Sequence, residues 1–257
     1  MSQKIDRTGE VRFNNQGLRM EIIQYNNSKD IMIKFDNGYE TKTRYTHFKT
    51  GKIKNPYVPS VYGVGYIGIG DYKGVDNNVK TIQYIYWTKM LERCYSEREL
   101  KRKPTYIDKQ VCEEWHNFQN FAKWFDDNYY EVDGERMHLD KDIIIKGNKI
   151  YSPETCVFVP NRINILFVKA NAIRGDYPIG VTFDKDINKF RGHMSMIDNY
   201  GKIKQKHLGC FNTPTEAFEC YKIEKEKYIK EVADQYKDKI PKKLYDAMYS
   251  YEVEITD

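Results

Sequence analysis

The sequence predicts an α+β, multidomain protein. Its parts are an N-terminal small β-barrel, a central helical region that closes on a strand–strand–helix (ββα) unit, and a C-terminal three-stranded sheet with one helix. Three observations carry that class. Apolar and polar residues alternate with a period of two over residues 31–35 and again after Ile179. The period lengthens to three or four over residues 81–125. Asn and Gly turn signals separate the strand-like runs.

Residues 1–56 read as several short strands. Ile31, Ile33 and Phe35 alternate with Met32 and Lys34, the pattern of a half-buried strand. Asp36-Asn37-Gly38 then supplies a hairpin turn, because Asn and Gly tolerate positive φ. Tyr39, Thr41, Thr43 and Tyr45 continue with β-favouring residues. This run of strands resembles the small Src-homology, Tudor and KOW-type barrels, and the resemblance implies binding of peptide or nucleic acid rather than catalysis. Residues 57–78, rich in Gly, Tyr and Pro, read as a linker. They contain a literal G-x-G-x-x-G, from Gly63 to Gly68. A dinucleotide fingerprint needs a buried strand before it and a helix start after it; here Gly70, Asp71 and Gly74 follow, so no nucleotide cofactor is expected.

Residues 79–172 form the central module. Ile82, Ile85, Tyr86, Trp87 and Met90 recur at helical spacing up to Arg93. A second helix is expected from about Cys112 to Phe125, with Trp115, Phe118, Phe121, Ala122 and Phe125 as its apolar stripe. Between them lies a basic run, residues 98–103, ended by Pro104. These helices are expected to cover the ββα unit, which is too small to bury a core alone.

That unit spans residues 137–164, MHLDKDIIIKGNKIYSPETCVFVPNRIN. It reads as a short strand, a Gly-Asn turn, a second short strand, and a helix opening after Pro160. Ile143, Ile145, Val157 and Val159 would give it an apolar side. Strand alternation puts Asp140 and Asp142 on one face, with His138 beside Asp140; Asn161 and Asn164 are three apart on the helix. Acids on a strand and amides on a helix can hold one hard cation through oxygens. The layout resembles the HNH, or ββα-metal, family of nucleases, in a phage-type variant with an Asp-Lys-Asp core and a Tyr-Ser-Pro-Glu-Thr-Cys turn. The resemblance implies that Asp140 is the first metal ligand, that Asn148 fixes the loop, and that Asn164, or else Asn161, is the last ligand. The family usually carries a water-activating His directly after the first acidic residue; here that position is Lys141. His138 is the candidate to orient or deprotonate water, Lys141 to contact phosphate or stabilise developing charge, and Asp142 to serve as second ligand or alternative base.

The last module covers residues 178–237, with a short helix or tail over 238–257. Strand signals fall at residues 181–183, 189–197 and 202–208, with Asn199-Tyr200-Gly201 as a turn. Thr213-Pro214-Thr215-Glu216 has the spacing of a capping box with Pro at the first helical position. Three strands and one helix resemble the ethylene-response-factor (Apetala) DNA-binding domain. The residues that carry the likeness are Gly180-Val181, Lys189-Phe190-Arg191-Gly192, His207-Leu208-Gly209-Cys210-Phe211 and Thr215-Glu216-Ala217, with Phe190 where that family commonly has Trp. Alternation would turn Phe190, Gly192 and Met194 to the helix and Lys189, Arg191 and His193 to a DNA groove. Lys185, Lys202, Lys204 and Lys206 would add backbone contacts.

Composition narrows the classes further. Lys and Arg number 42 against 37 Asp and Glu, a net charge of +5, which is mildly basic and far from histone-like. The five Cys include no Cys-x-x-Cys pair and are odd in number, so neither a zinc ribbon nor a disulfide framework is expected. With no leader-like opening and no apolar run long enough to cross a bilayer, the expected location is cytoplasmic, in a bacterial host if the origin is a phage. The expected activity is that of a homing-type endonuclease: hydrolysis of phosphodiester bonds, by nicking, with one Mg²⁺ or Mn²⁺ ion and double-stranded DNA as partner. The alternative is an inactive HNH scaffold that binds DNA or a host defence protein.

Overall fold

A computed structural model of the 257-residue chain describes residues 5–132, 134–168, 176–197 and 202–255. The protein is mixed α/β, with several small sheets, and divides into two compact units. The first comprises residues 1–72 with 117–119, the second residues 73–116 with 120–257.

In the first unit, β1 (Val11–Phe13), β2 (Arg19–Asn27), β3 (Asp30–Phe35) and β4 (Glu40–Thr43) form an antiparallel meander in that order. The predicted alternation holds: Ile31, Ile33 and Phe35 are buried, and they meet Met20 and Ile22 of β2 and Phe48 of the short helix α1 (Tyr45–Lys49). Gly38 takes φ +86° in the turn between β3 and β4. The sheet does not close into the predicted barrel; β1 and β4 are its two edges. Strand count does not dictate closure, and here Phe48 helps cover the one apolar face that needed covering. The Gly/Tyr-rich stretch read as a linker is tied down. Gln119 Nε2 donates to the carbonyls of Ile67 (3.1 Å) and Tyr72 (3.0 Å), and the Phe118 amide to Tyr66 (2.9 Å). A Cβ on Gly68 would fall 2.2 Å from Asn117 Oδ1, and one on Gly70 2.4 Å from Gln119 Oε1. These glycines permit a close approach of chain to side chain, which is a packing role.

The second unit opens with the hairpin β5 (Val75–Asp76) and β6 (Val79–Lys80), turned by Asn77 and Asn78 at φ +47° and +64°. Helix α2 (Ile82–Tyr95) starts at the N-cap Thr81, whose side chain accepts from the Tyr84 amide. Helix α3 (Glu97–Arg102) takes up the basic run; β7 (Gln110–Val111) follows. The second predicted helix begins later than expected. A single 3-10 turn holds Glu113–His116, and α4 runs Phe118–Asn128; Trp115, Phe118, Phe121, Ala122 and Phe125 are all buried.

The strand, strand and helix are present, and the second strand is the one that carries Val157 and Val159. β8 (Met137–Asp140) pairs antiparallel with β10 (Val157–Pro160), and α5 (Asn161–Leu166) follows directly. Between them, β9 (Ile150–Tyr151) pairs with β7 in parallel, in a separate two-stranded sheet. The strand ends at Asp140, so Asp142 lies on a loop and not on the strand face predicted for it. Ile143 is buried, but Ile145 is 51% exposed and not core. Helices α2 and α4 cover the unit as expected. The Tyr86 hydroxyl donates to the Met137 carbonyl at 2.7 Å, and the Phe158 ring lies 5.0–5.6 Å from the rings of Phe125, Tyr129, Trp124 and Tyr86. Burying an aromatic cluster of this size is the largest single source of stability available to so small a sheet.

β11 (Val181–Asp184), β12 (Lys189–Ile197) and β13 (Ile203–Phe211) form an antiparallel sheet in chain order, backed by α6 (Pro214–Tyr236) and then α7 (Lys242–Tyr249). The capping box forms as read: Thr213 Oγ1 accepts from the Glu216 amide, and the Glu216 carboxylate accepts from the Thr213 amide. α6 is one continuous helix through residues 224–236. The turn predicted at Asn199-Tyr200-Gly201 and the stretch that follows the helix α5, residues 169–175, lie outside the described residues. Among the described residues no helix is long and apolar enough to cross a membrane.

Candidate metal centre and nucleic-acid interface

β8 alternates by burial: Met137 and Leu139 are buried, His138 and Asp140 half-buried on the opposite face. β10 is buried throughout, which fixes that choice of face. His138 sits opposite Val159 and Asp140 opposite Val157. Because α5 follows β10 without a loop, its first residue returns to β8: Asn161 Oδ1 is 3.0 Å from His138 Nε2. Asn164 lies on the same short helix, also half-buried.

Asp140 terminates the strand. Its Oδ1 accepts from the amides of Asp142 and Ile143, both at 2.8 Å, an Asx turn that bends the chain off the sheet. Lys141, whose side chain is only 6% exposed, donates to Asp142 Oδ2 at 3.1 Å and stands 5.6 Å from the Tyr151 ring centre. The position that sequence assigned to phosphate contact is therefore packed beneath the loop, because Asp142 is within reach and β9 places Tyr151 over it. Asn148 bridges the loop, its Nδ2 donating at 2.7 Å to the carbonyls of both Lys141 and Ile150.

The electrostatics follow from the burial. Desolvation lowers the His138 pKa below its ordinary value, helped by the charges of Arg136 and Arg93 and opposed by the Asn161 hydrogen bond. The Asp140 carboxyl is raised, first by burial and then by the nearby Asp142 charge, against the two backbone N–H groups. Arg93, at the last turn of α2, was not singled out by sequence. It is half-buried and hydrogen-bonds Tyr151. A lone Arg ending an apolar helical stripe was the available signal.

Among the described residues there is no group of three or more His, Cys, Asp or Glu that could hold a metal ion. Around Asp140, whose Oδ2 lies outside the Asx turn, stand the Asp142 carboxylate, held by Lys141, and the His138 imidazole and Asn161 amide, held by each other. Few carboxylates plus amide oxygens suit a cation such as Mg²⁺, which keeps water and takes phosphate oxygens as further ligands. A separate cavity of about 940 Å³ lies among α4, β10 and α6, lined by Tyr130, Glu135, Arg162 and Tyr236 among others. It shares no residue with the Asp140 group, and Glu135 in it is already bonded by the Tyr236 hydroxyl and the Arg162 amide.

In the C-terminal sheet, residues paired across strands share a face. Phe190 pairs with Phe183 and Phe211, Gly192 with Val181, and Met194 with Lys206. Gly192, Met194 and Val181 are buried under α6, as predicted for the first two. Lys189, Arg191 and His193 alternate to the other face. Arg191 is ion-paired with Asp184, and Lys189 and Lys185 are exposed. The register places two of the β13 lysines. Lys206 pairs with Met194 and Lys204 with Met196, which puts both on the helix side; Lys206 Nζ is 2.6 Å from Glu224 of α6. Lys202 precedes β13 and is exposed. All five Cys are free thiols.

The chain matches no family model, no curated protein and no solved structure with which it was compared.

Proposed function

We propose that the protein is a DNA-binding, metal-dependent endonuclease of the HNH type, hydrolysing phosphodiester bonds at the β8–β10–α5 unit, with the C-terminal sheet as an Apetala-type module that sets the target. One observation carries this reading: strand β8 and helix α5 bring His138, Asp140 and Asn161 to one side of a loop that Asn148 ties shut. The expected setting is the cytoplasm of a bacterial host, and the expected product a nicked strand.

Asp140 would hold the cation, with Asn164 or Asn161 and with Asp142 in reach. Mg²⁺ or Mn²⁺ bound there would neutralise charge on the scissile phosphate and the leaving oxygen. His138 supplies the base. An amide oxygen only accepts, so the ring nitrogen facing Asn161 Oδ1 carries the proton and Nδ1 keeps its lone pair. The lowered pKa keeps that lone pair free at neutral pH. Arg93 adds fixed positive charge beside His138, and Lys141 acts through Asp142, not on phosphate directly.

One observation favours the second reading, an inactive scaffold that binds DNA or a host protein: the residue after Asp140 is a buried, ion-paired lysine. A plasmid assay separates the two. Supercoiled DNA is incubated with Mg²⁺, with Mn²⁺ and with chelator, using the native chain, Asp140→Ala and Asn164→Ala. Metal-dependent nicking lost in both variants supports the nuclease. Salt-sensitive DNA binding with no cutting in any metal sinks it and leaves the binder.

A further inference from the structure

The outer face of the C-terminal sheet has two chemically different halves. The β11–β12 half carries Lys189 and Arg191 with Asp184 between them. The β12–β13 half carries His193, Ser195, Gln205, His207 and Cys210, and Lys204 and Lys206 leave by the opposite face. Ser195, Gln205, His207 and Cys210 are exposed. A half-face without fixed charge has little to offer phosphate. Its donors and acceptors match the edges of bases, which carry the sequence information in the major groove.

Within that half Gln205 is held in a defined orientation. Ser195 lies directly across from it, and Gln205 Nε2 donates to Ser195 Oγ at 2.7 Å. That bond uses one of the two amide hydrogens. A second N–H and the oxygen Oε1 remain, side by side and exposed. A donor beside an acceptor at this spacing complements N7 and the N6 amino group of adenine. The next outward pair along the two strands, His193 opposite His207, borders Gln205 on the side of Arg191.

We infer that Gln205, oriented by Ser195, is a specificity-determining residue that reads an adenine in the major groove. The inference rests on the DNA-binding role proposed above. Arg191 and Lys189 then fix the sheet on the duplex, and Gln205 decides one base. An ordinary cross-strand pair would contribute to sheet stability and nothing to base choice, so base preference is the discriminating measurement.

The full chain, in chelator to prevent cutting, is used to select duplexes from a randomised pool. Gln205→Ala, Gln205→Glu and Ser195→Ala are run beside it, each first checked for an unchanged thermal transition. The native chain should prefer adenine at one position, and Gln205→Ala should lose that preference by on the order of tenfold. Gln205→Glu should shift it toward cytosine, whose N4 amino group a carboxylate accepts from. Ser195→Ala should weaken it. Because Gln is neutral, the salt dependence of binding should not change in Gln205→Ala. If Gln205→Ala selects the same sequences as the native chain, or the native chain selects none, the Gln205 assignment fails while salt-dependent DNA binding still stands. If the native chain shows no salt-dependent binding to duplex DNA, both fail.

Discussion

Asn161 Oδ1 and His138 Nε2 are 3.0 Å apart, joining the first residue of α5 to the middle of β8. The contact does two things at once. It docks a six-residue helix that could not persist in isolation, and it decides which imidazole nitrogen keeps a lone pair. Structure and candidate chemistry at this position are therefore read out by the same bond.

Removing it should move a titration. The Asn161 hydrogen bond raises the His138 pKa against burial, so Asn161→Ala should lower it further. The imidazole resonances of His138 should titrate at lower pH in Asn161→Ala than in the native chain. In the native chain the folded-state pKa already lies below the unfolded value of about 6.5. Stability associated with neutral His138 is therefore complete above that value and is lost as pH falls toward the folded pKa. An unchanged midpoint in Asn161→Ala would show that the contact does not act on the ring.

Asp140 should show the opposite sign. Its folded pKa is raised, so its contribution is present below the unfolded value and lost as pH rises through the folded one. Asp140→Asn keeps an oxygen for the Asx turn and removes the ionisation. At pH 7.5 the variant should be more stable than the native chain, by on the order of 1 kcal/mol, with the gain gone at acid pH. Mg²⁺ should raise the thermal midpoint of the native chain and not that of Asp140→Asn. Urea melts at two pH values, and thermal melts with and without Mg²⁺, decide this.

Asn148→Ala removes the donor that ties Lys141 to Ile150. Loss of two hydrogen bonds to loop carbonyls should cost about 1–3 kcal/mol in urea unfolding. Nicking should fall while duplex binding, measured by anisotropy, stays near the native value. Equal loss of both would place Asn148 in general folding and not in the loop alone.

The two faces of the C-terminal sheet should respond differently to loss of charge. Lys189→Ala should reduce the slope of log affinity against log salt by about one unit. Lys206→Ala breaks only an exposed pair with Glu224 on the helix side, and should leave the slope unchanged and cost under about 1 kcal/mol of stability. The reverse ranking would mean that the sheet meets DNA by its other face.

Sequence disclosed local features well. The capping box at Thr213 and Glu216, the alternation of Ile31, Ile33 and Phe35, and the aromatic stripe from Trp115 to Phe125 all follow from short-range chemistry, and all are found. What it missed depends on contacts distant in sequence. A further short strand between β8 and β10, β9, pairs with β7 in parallel. Lys204 and Lys206 form an alternating set that any reader would place on one face. Which face was set by the register shift between Gly192 and His193, where β13 carries one extra residue, Leu208. At the candidate site, the types and spacing of His138, Asp140, Asn148 and Asn161 were legible. The burial of Lys141 was not, since it needs Tyr151 from a strand that pairs elsewhere.

Residues 117–119 count among the first compact unit although the chain on either side of them belongs to the second. A fragment ending at Tyr72 would lack the amide of Phe118 and the side chain of Gln119, leaving the carbonyls of Tyr66, Ile67 and Tyr72 without those donors. Gly68 and Gly70 would then border an empty slot shaped for side chains that are missing. The N-terminal piece is thus not a cassette that recombination could lift out at a single seam. A separated N-terminal unit would have to carry residues 117–119 with it to keep those donors.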